Sequence, residues 1–441
     1  MGKRKYDQID ISPQKTDFLA LPDLLVLNKG SDEDNFHAVH QRYFRKGKCI
    51  CPACGSDKTR SSKVIQRKLK DIIWQEDGSF KILTITFSQR YLRCDGCKDS
   101  VFPEEIEFAE KGCKYTNRLA DVLADGTLKQ SYNRVCKYYG VPASTASVGD
   151  IMRRRIKSRE SQLPPIETPN VLSIIEVPFF ESFYPVVLAV QNEHVFCIDI
   201  LASTSEETYI SFFKTLNTER IEMLYIDPGE TLRSAVDICF PEAKSVITGE
   251  CIERYARNAL LEVIKKDGKR FPITNKNDKL VLFEDHLQDA VTKKRMKEGF
   301  CSRPRLKLAY RKYQQLLRLL NQDWTYENLS IWVANLSNEL PEFDDLRDII
   351  ELHKDEIQAF LNAENPPEKY PTAIAGVCKA IGEMPNCIFD VLRARCMLTV
   401  SHDVEERDGV LTRLGIETSR FAANLNEISV SIRKIKDPFS D

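Results

Sequence analysis

The spacing of apolar residues changes three times along this chain of 441 residues. It is strand-like within the first quarter, helical from 111 to 160, strand-like again beyond 170, and mostly helical from 261 to 361. A polar, proline-rich segment, residues 158–170, precedes the second change and predicts a domain boundary. The pattern therefore predicts a multidomain α+β protein.

The segment after residue 170 predicts an α/β domain with a ribonuclease-H-like order of elements. The predicted elements are strands at 171–177, 184–190 and 194–201, a helix at about 205–216, a strand at 221–227, a short helix from Glu230 and a strand at 244–248. In such a fold, acidic residues on the first strand, after the fourth strand and on a late helix can hold two divalent metal ions for phosphoryl transfer.

Composition narrows the class of protein without identifying it. The formal net charge is −1, so the chain lacks the overall basic balance of many nucleic-acid-binding proteins. The basic start has no apolar segment behind it, and Glu176 and Glu181 interrupt the most apolar stretch, residues 171–190. We therefore expect neither a signal peptide nor a membrane span. Fourteen cysteines without a framework of paired spacings favour a reducing cytoplasm.

Two Cys-x-x-Cys pairs lie in the first quarter of the chain. They are Cys51-Pro-Ala-Cys54 and Cys94-Asp-Gly-Cys97, and turn-forming residues flank both. Two pairs of thiolates supply the four soft donors of a tetrahedral Zn²⁺ site, and nothing nearby suggests the open coordination position that catalysis requires. The spacing therefore predicts a zinc ribbon with a structural Zn²⁺.

The alternative to a zinc site is four buried cysteines without metal. Cys49 is a further thiol beside the first pair, and we expect it to be a neighbour of the site and not a ligand. His37 and His40 lie three residues apart before the ribbon, and for them we expect a surface or core position.

Residues 131–155 predict a helix-turn-helix. A first helix ends near Gly140 and a second helix follows the turn, with Val135, Val141, Val148 and Ile151 spaced to pack the two together. In this motif the start of the second helix reads base edges, and basic residues at its end contact phosphates. The predicted base contacts are Ser144, Thr145 and Ser147, and the predicted phosphate contacts are Arg153, Arg154, Arg155 and Lys157.

The charge of residues 111–160 is compatible with DNA binding, and it is also compatible with a solvent-exposed helical hairpin. Residues 111–160 carry eleven basic and four acidic side chains. The alternative is an ordinary helical hairpin with a solvated basic face. A second basic surface at 293–297 and 303–311 is as compatible with solvent as with DNA, and we expect Trp324 and Trp332 to pack in a core or dimer contact.

Six short blocks, spread over the chain, carry a resemblance to a known family. They are Cys51–Ser56, Lys70-Asp71, Arg90–Cys97, Val101–Glu104, Pro304–Tyr310 and Phe389–Arg395. In these blocks the chain resembles the bacterial insertion-sequence transposases of the ISL-three type. The resemblance spans nearly the whole chain and implies an N-terminal zinc ribbon, a helix-turn-helix and a DDE catalytic domain interrupted by a helical insertion.

The catalytic acids that the resemblance implies are mostly absent from this sequence. The position of the first aspartate is Ile175, and the second aspartate is present as Asp227. Thr248 and Cys251 stand where the family has an acid and a histidine, and Thr372 stands at the late glutamate. One carboxylate cannot hold two Mg²⁺ ions, so we expect no phosphoryl-transfer activity.

An active enzyme would need displaced acids. Glu176 is adjacent to the first position, but neighbouring strand residues point to opposite faces of a sheet. Glu368 lies about one turn before Thr372, but the surrounding prolines argue that it precedes the helix. We expect Mg²⁺ as a cofactor only if these acids rescue the site.

The predicted division of the chain follows the resemblance and the composition. It comprises an N-terminal segment at 1–48, a zinc ribbon at 49–108, a helix-turn-helix at 109–160, a ribonuclease-H-like core at 171–260, a helical insertion at 261–361, the last helix of that core at 362–400 and a C-terminal extension at 401–441.

The sequence thus predicts a transposase-derived protein that binds double-stranded DNA sequence-specifically and has an inactive DDE domain. Its expected role is that of a regulator, or a targeting or architectural factor, of a mobile element. One alternative is an active transposase that cuts and joins DNA, and another is a protein-interaction scaffold built on the ribbon. We expect a homodimer in the cytoplasm, associated with the nucleoid, and other proteins of the element are candidate partners.

Overall fold

The computed structural model describes most of the chain, and it does so in two compact units. The described residues are 19, 21, 24–29, 35–40, 49–97, 101–141, 145–191, 193–267, 294, 298–322, 324–336, 338–362, 368–407 and 409–433. The first unit comprises residues 1–162 and 430–441, and the second comprises residues 163–429. The first boundary between them lies inside the predicted joint at 158–170.

The first unit contains a five-stranded sheet. Its strands are β1 (Leu24–Lys29), β2 (Asn35–His40), β3 (Thr59–Trp74), β4 (Phe80–Cys94) and β5 (Val101–Pro103). Their order is β1-β2-β4-β3, and β5 also pairs with β4. The sequence assigns residues 1–48 to a segment apart from the ribbon, but β1 and β2 belong to its sheet. The backbone groups along β4 require a paired strand, which β2 supplies.

Three of the described helices lie wholly within the first unit. They are α1 (Asn117–Lys129), α2 (Tyr132–Tyr138) and α3 (Thr145–Glu160). Thr116 caps α1, because its hydroxyl accepts a hydrogen bond from the Leu119 N–H at 3.4 Å. Gly140 has a φ of +59° and forms the turn after α2, which glycine adopts without strain. Val135 and Val141 are buried in one core cluster with Leu119 of α1.

The second unit is built on a seven-stranded mixed sheet. Its strands are β6 (Val171–Phe179), β7 (Ser182–Gln191), β8 (His194–Ile200), β9 (Met223–Ile226), β10 (Lys244–Val246), β11 (Asp403–Arg407) and β12 (Val410–Glu417). Their order is β10-β9-β6-β7-β8-β12-β11. Strands β6 to β8 are antiparallel neighbours, and β9 and β10 are parallel additions beside β6. The strands predicted between 171 and 248 are confirmed.

The helices that the structure describes in full in the second unit form layers on the sheet and a separate helical body. They are α4 (Glu206–Phe213), α5 (Glu230–Cys239), α6 (Gly249–Asp267), α7 (Pro304–Gln322), α8 (Tyr326–Ala334), α9 (Asp344–Leu352), α10 (Lys354–Asn362), α11 (Tyr370–Gly382), α12 (Phe389–Met397) and α13 (Thr418–Arg433), whose last four residues fall in the first unit. No described helix is long and apolar enough to cross a membrane.

Alternation along β6 places helices on both faces of the sheet. Leu172 and Ile174 share a core cluster with apolar residues of α4 and α5. Ser173 points to the other face, where its hydroxyl lies 2.7 Å from the Tyr370 hydroxyl of α11. Because both faces of β6 are covered, the strand is almost continuously apolar, which is the pattern of a fully buried strand.

Helices α6 to α10 enclose their own apolar core. Trp332 is buried in it, and its indole N–H donates to the Lys312 carbonyl at 3.1 Å. Trp324 packs against the same core. Trp332 therefore lies in a core, as predicted, and Trp324 is partly buried against it. The segment 261–361 is mostly helical where the structure describes it.

The C-terminal segment completes the sheet. Strand β12 pairs with β8, with Ile416 opposite Cys197 and Glu417 opposite Phe196. Gly415 has a φ of +119°, and a Cβ atom there would lie 2.6 Å from the Cys197 carbonyl oxygen. Residues predicted as an extension, 401–441, thus contribute two strands and a helix, because the β8 edge would otherwise be unpaired.

Candidate functional site

The two Cys-x-x-Cys pairs meet at the open end of the β3–β4 hairpin. Cys51 and Cys54 lie in the turn that leads into β3, and Cys94 ends β4. The sulfur atoms of these three residues and Cys97 all lie within 4.8 Å of one another. The Cys54 and Cys94 sulfurs are 3.6 Å apart, close to the ~3.8 Å edge of a tetrahedron with Zn–S bonds of about 2.3 Å.

The backbone around the cysteines favours thiolates. The N–H groups of Gly96 and Cys97 point at the Cys94 sulfur, at 3.3 and 3.4 Å. Against the effect of desolvation, hydrogen bonds from the N–H groups of Ala53 and Cys54 lower the pKa of the Cys51 thiol to about 6. Metal binding requires deprotonated cysteines, so this turn geometry suits a metal site.

The neighbouring candidate ligands are not part of this group. The Cys49 sulfur lies 4.0 Å from a carboxylate oxygen of Glu104 and is not among the four clustered thiols. The side chains of His37 and His40 lie outside the described residues.

Most of the predicted DNA contacts lie on helix α3. The structure describes the predicted side chains in the C-terminal half of this helix. Arg153 is about half exposed and pairs with Asp150 on the same helix. Arg154 is also about half exposed and lies 3.1 Å from Glu110. Lys157 is exposed. The predicted residue Ser144 and the side chains of Thr145, Ser147, Val148 and Ile151 lie outside the described part of the chain.

Arg155 differs from its neighbours in exposure and partners. Its side chain is only 18% exposed, and it lies 3.4 Å from Glu110 and 3.2 Å from Asp121 of α1. It also donates to the Asn117 side chain at 3.0 Å. These contacts join α3 to the start of α1, so Arg155 orients the helix within its unit.

The one carboxylate present at a family acid position is enclosed by protein donors. Asp227 follows β9 and is 3% exposed. Its carboxylate accepts a hydrogen bond from the Glu176 backbone N–H at 2.7 Å and forms an ion pair with Arg254 of α6. Although burial opposes it, the negative charge of Asp227 raises the pKa of Arg254, which therefore stays charged.

Sequence reasoning did not single out Arg254. It lies one turn after Cys251 on α6, and its guanidinium also approaches the Cys251 sulfur at 3.7 Å. The strand order β10-β9-β6 brings the start of α6 next to the end of β9, so that Arg254 reaches Asp227. The one local indication is that Arg254 lies one helical turn after Cys251, and this spacing does not identify Asp227 as the partner of Arg254.

The other family acid positions hold residues with structural contacts. Ile175 is 4% exposed. The Thr248 hydroxyl accepts a hydrogen bond from the Cys251 N–H at 3.3 Å and so caps α6. Thr372 is exposed, whereas Tyr370 and Ile374 of α11 face the carboxylate of Asp227 across a small cavity.

That cavity is too small for a metal pair. Its volume is about 10 Å³, which is near the minimum for one water molecule. Ile175, Asp227, Arg254 and Tyr370 are among its walls. Among the described residues, no three carboxylates bring their oxygens within 4.8 Å of one another, and the cysteines form the one group that meets this test.

Glu176 and Glu368 do not replace the missing carboxylates beside Asp227. The Glu176 carboxylate accepts a hydrogen bond from Tyr209 at 2.9 Å, and burial raises the pKa of Glu176. Glu368 lines a different, larger cavity between α6, α7, α10 and α11. The structure therefore leaves Asp227 paired with a guanidinium, and Glu250 is the other carboxylate that lines its small cavity. Two carboxylates, one of them paired with Arg254, fall short of the oxygens that two metal ions require.

Comparison with known proteins adds one match. Residues 181–365 match the family model described as Transposase, the DDE group of the ISL-three type. No curated protein matches the chain. The matched residues include β8 to β10, Asp227 and the helical body α6 to α10. Residues 181–365 of this chain thus belong to the ISL-three family of DDE transposases.

Proposed function

We propose that this protein is a transposase-derived, sequence-specific double-stranded DNA-binding protein whose ribonuclease-H-like DDE domain is inactive. Its role is that of a regulator, or a targeting or architectural factor, of a mobile element. The family match supports DNA as the partner. The helices α2 and α3, joined by a turn at Gly140, support a helix-turn-helix as the reading element.

The ion pair between Asp227 and Arg254 carries the inactive part of the proposal. Two Mg²⁺ ions need several carboxylate oxygens and room for both ions and their water. Here a guanidinium supplies the positive charge that a metal ion would supply, and the small cavity beside it is lined mainly by isoleucine, tyrosine and threonine side chains, with Glu250 as its one other carboxylate. Asp227 then serves to anchor α6 to the end of β9.

The cysteine group supports a structural Zn²⁺ held by Cys51, Cys54, Cys94 and Cys97. Four sulfur donors without an open position stabilise a fold and leave no place for a reactive water. A bound Zn²⁺ would join the turn before β3 to the end of β4, and would stiffen the open end of a hairpin that has few apolar contacts there.

In this proposal α3 binds DNA with two kinds of contact. Arg153, Arg154 and Lys157 are exposed on its C-terminal half and suit phosphate oxygens. Thr145 and Ser147 stand at its N-terminal end, where this motif reads bases. Arg155 is a positioning residue, since its partners are Glu110 and Asp121.

A cleavage assay tests the inactive DDE domain directly. Purified protein is incubated with duplexes carrying the terminal repeats of candidate elements, with Mg²⁺ or Mn²⁺, and the products are resolved on denaturing gels. We expect no nicking and no strand joining. Asp227→Asn should change duplex affinity less than twofold, because the carboxylate faces Arg254 in the interior and not the solvent.

Two outcomes would replace the proposal. Metal-dependent cleavage that Asp227→Asn abolishes would establish an active transposase with displaced acids. Absence of any salt-sensitive duplex binding, with the cysteine group intact, would favour a protein-interaction scaffold instead.

A further inference from the structure

The second unit contains a cavity of about 410 Å³ between α6, α7, α10 and the start of α11. This volume is in the range of sites for small organic ligands. Its walls combine carboxylates with aromatic and aliphatic side chains. It adjoins the small cavity at Asp227, because Glu250 lines both.

The charges of the cavity are of one sign. Glu250, Glu253 and Glu368 line it, and the described lining residues include no lysine or arginine. Glu253 already accepts hydrogen bonds from Arg257 at 2.8 Å and from Tyr313 at 3.2 Å. Such a surface repels phosphate, so it does not extend the DNA interface and favours a cationic ligand.

Glu250 supplies the specific attachment point. Its Oε2 atom is buried and has no hydrogen-bond partner among the described residues. Burial raises the pKa of Glu250, although hydrogen bonds from its own backbone N–H and from Thr248 oppose the shift. A buried acceptor without a donor is unfavourable, and a protonated amine in the cavity would supply both the donor and the charge.

The remaining walls match an aliphatic ammonium ion. Trp324 and Phe360 pack edge to face, with ring centroids 5.6 Å apart, and aromatic faces attract cations. The Trp324 ring is held close to the backbone of α6, since a Cβ atom on Gly249 would lie 2.8 Å from it. Leu317 and Leu320 offer apolar surface for methylene groups.

A divalent metal ion fits the cavity less well than an organic cation. Metal ions of this class need several oxygens that converge on one point. No three carboxylates in the described part of the protein bring their ligand oxygens within 4.8 Å of one another. The apolar walls of the cavity, with carboxylates on either side of them, suit a chain with charged ends.

We propose that this cavity binds an aliphatic diamine or polyamine, with one ammonium group on Glu250 and the chain between Trp324, Phe360 and the α7 leucines. The exposed Glu368 at the rim receives a second ammonium group. This site is independent of DNA binding and of the loss of catalysis.

The test uses DNA-free full-length protein, isothermal titration calorimetry and thermal unfolding. The ligands are 1,4-diaminobutane and spermidine, and 1,4-butanediol is the uncharged control of similar length. We expect the amines to raise the melting temperature and the diol to leave it unchanged. Glu250→Gln, which keeps the side-chain shape, should weaken amine binding at least tenfold, and Phe360→Leu should weaken it severalfold.

Glu262→Gln is the matched control, because Glu262 lies on the same helix but is exposed and pairs with Lys265. It should bind amines like the unaltered protein. Equal stabilisation by the diol, equal weakening by Glu262→Gln, or unaltered binding in both Glu250→Gln and Phe360→Leu would overturn the proposal. Displacement of the amines by equimolar Mg²⁺, dependent on Glu250, would assign the site to a metal ion instead.

Discussion

Asp227 receives a backbone N–H from Glu176 and the guanidinium of Arg254. Breaking a buried pair of this kind on one side leaves an uncompensated charge, which commonly costs about 3–5 kcal/mol. The neighbouring Glu176 carboxylate is different, because it accepts its hydrogen bond from the neutral Tyr209 hydroxyl. Burial raises the pKa of Glu176, so its ionised form is the less favourable one at this position.

The raised pKa of Glu176 predicts a pH-dependent gain from Glu176→Gln. Between the ordinary carboxyl pKa and the raised value, the folded state binds more protons than the unfolded state, so the contribution of Glu176 to stability falls as the pH rises. The glutamine variant keeps an acceptor for Tyr209 and does not ionise. At pH 7.5 we expect its melting temperature to exceed that of the unaltered protein by roughly 1–3 °C.

The difference should shrink toward pH 4.5, where the unaltered side chain is protonated in the folded state. Glu181→Gln, an exposed change in the turn after β6, should show no such trend. A lower melting temperature for Glu176→Gln at pH 7.5 would mean that the charge of Glu176 stabilises Arg254 more than burial opposes it.

Some basic residues of helix α3 hold the helix against α1, and others are exposed at the surface. Arg155 and Arg159 pair with acidic residues of α1, namely Asp121 and Asp125, and so fix the helix in its unit. Arg153 and Arg154 are about half exposed, and their pairs with Asp150 and Glu110 are surface pairs that can be exchanged for phosphate contacts at little cost.

Replacing Arg153 and Arg154 by alanine together should weaken duplex binding for all DNA sequences alike. Two lost phosphate contacts should lower the slope of log affinity against log salt by about 2. Fluorescence anisotropy at several salt concentrations measures both effects. The control pair, Lys214→Ala with Lys265→Ala, removes two exposed cations from the second unit and should leave the slope unchanged.

Thr145→Ala or Ser147→Ala should instead reduce the preference between specific and random duplexes by about 1–3 kcal/mol. An unchanged slope in the double arginine variant would move the phosphate contacts away from α3, with the helical segment 303–311 as the next candidate.

The whole molecule consists of two units with separate cores, and only the first contains the cysteine group. The core of the first unit includes Leu69, Phe87 and Leu123, whereas that of the second includes Tyr313 and Trp332. The cysteine group lies at the end of the β3–β4 hairpin where β3 is mostly exposed. Small domains with little apolar surface depend strongly on such a site.

Metal removal should therefore unfold part of the protein and spare the rest. Protein purified without chelator should contain about one zinc per chain by elemental analysis, and zinc binding should contribute on the order of 10 kcal/mol to local folding. A strong chelator, or Cys94→Ser, should abolish a calorimetric transition of the first unit and leave the transition of the second unchanged. Cys301→Ser, at an exposed cysteine of the second unit, is the control. A metal-free first unit that remains well folded would contradict the prediction.

The local sequence pattern was sufficient to predict the strands after residue 170 and the cysteine group. The apolar runs from Val171 to Ile200 form strands because both faces of β6 and much of β7 and β8 are covered. The cysteine pairs meet because each is held in a tight turn and a single antiparallel hairpin joins them. The apolar runs mark the strands whatever covers them, and the cysteine contacts lie between neighbouring elements of the chain, so the sequence displays both directly.

The sequence by itself therefore determined the strands between 171 and 248, the helical character of 131–155 and of 261–361, the pairing of the cysteines and the scarcity of acids at the family positions. Only the tertiary structure decided what surrounds Asp227, because Arg254 reaches it from α6 and Tyr370 from a helix more than a hundred residues later. It also decided that β12 completes the sheet beside β8 and that Glu250 faces an aromatic cavity. Such contacts depend on the order of strands and on the packing of helices that are distant in sequence, and no local spacing encodes them.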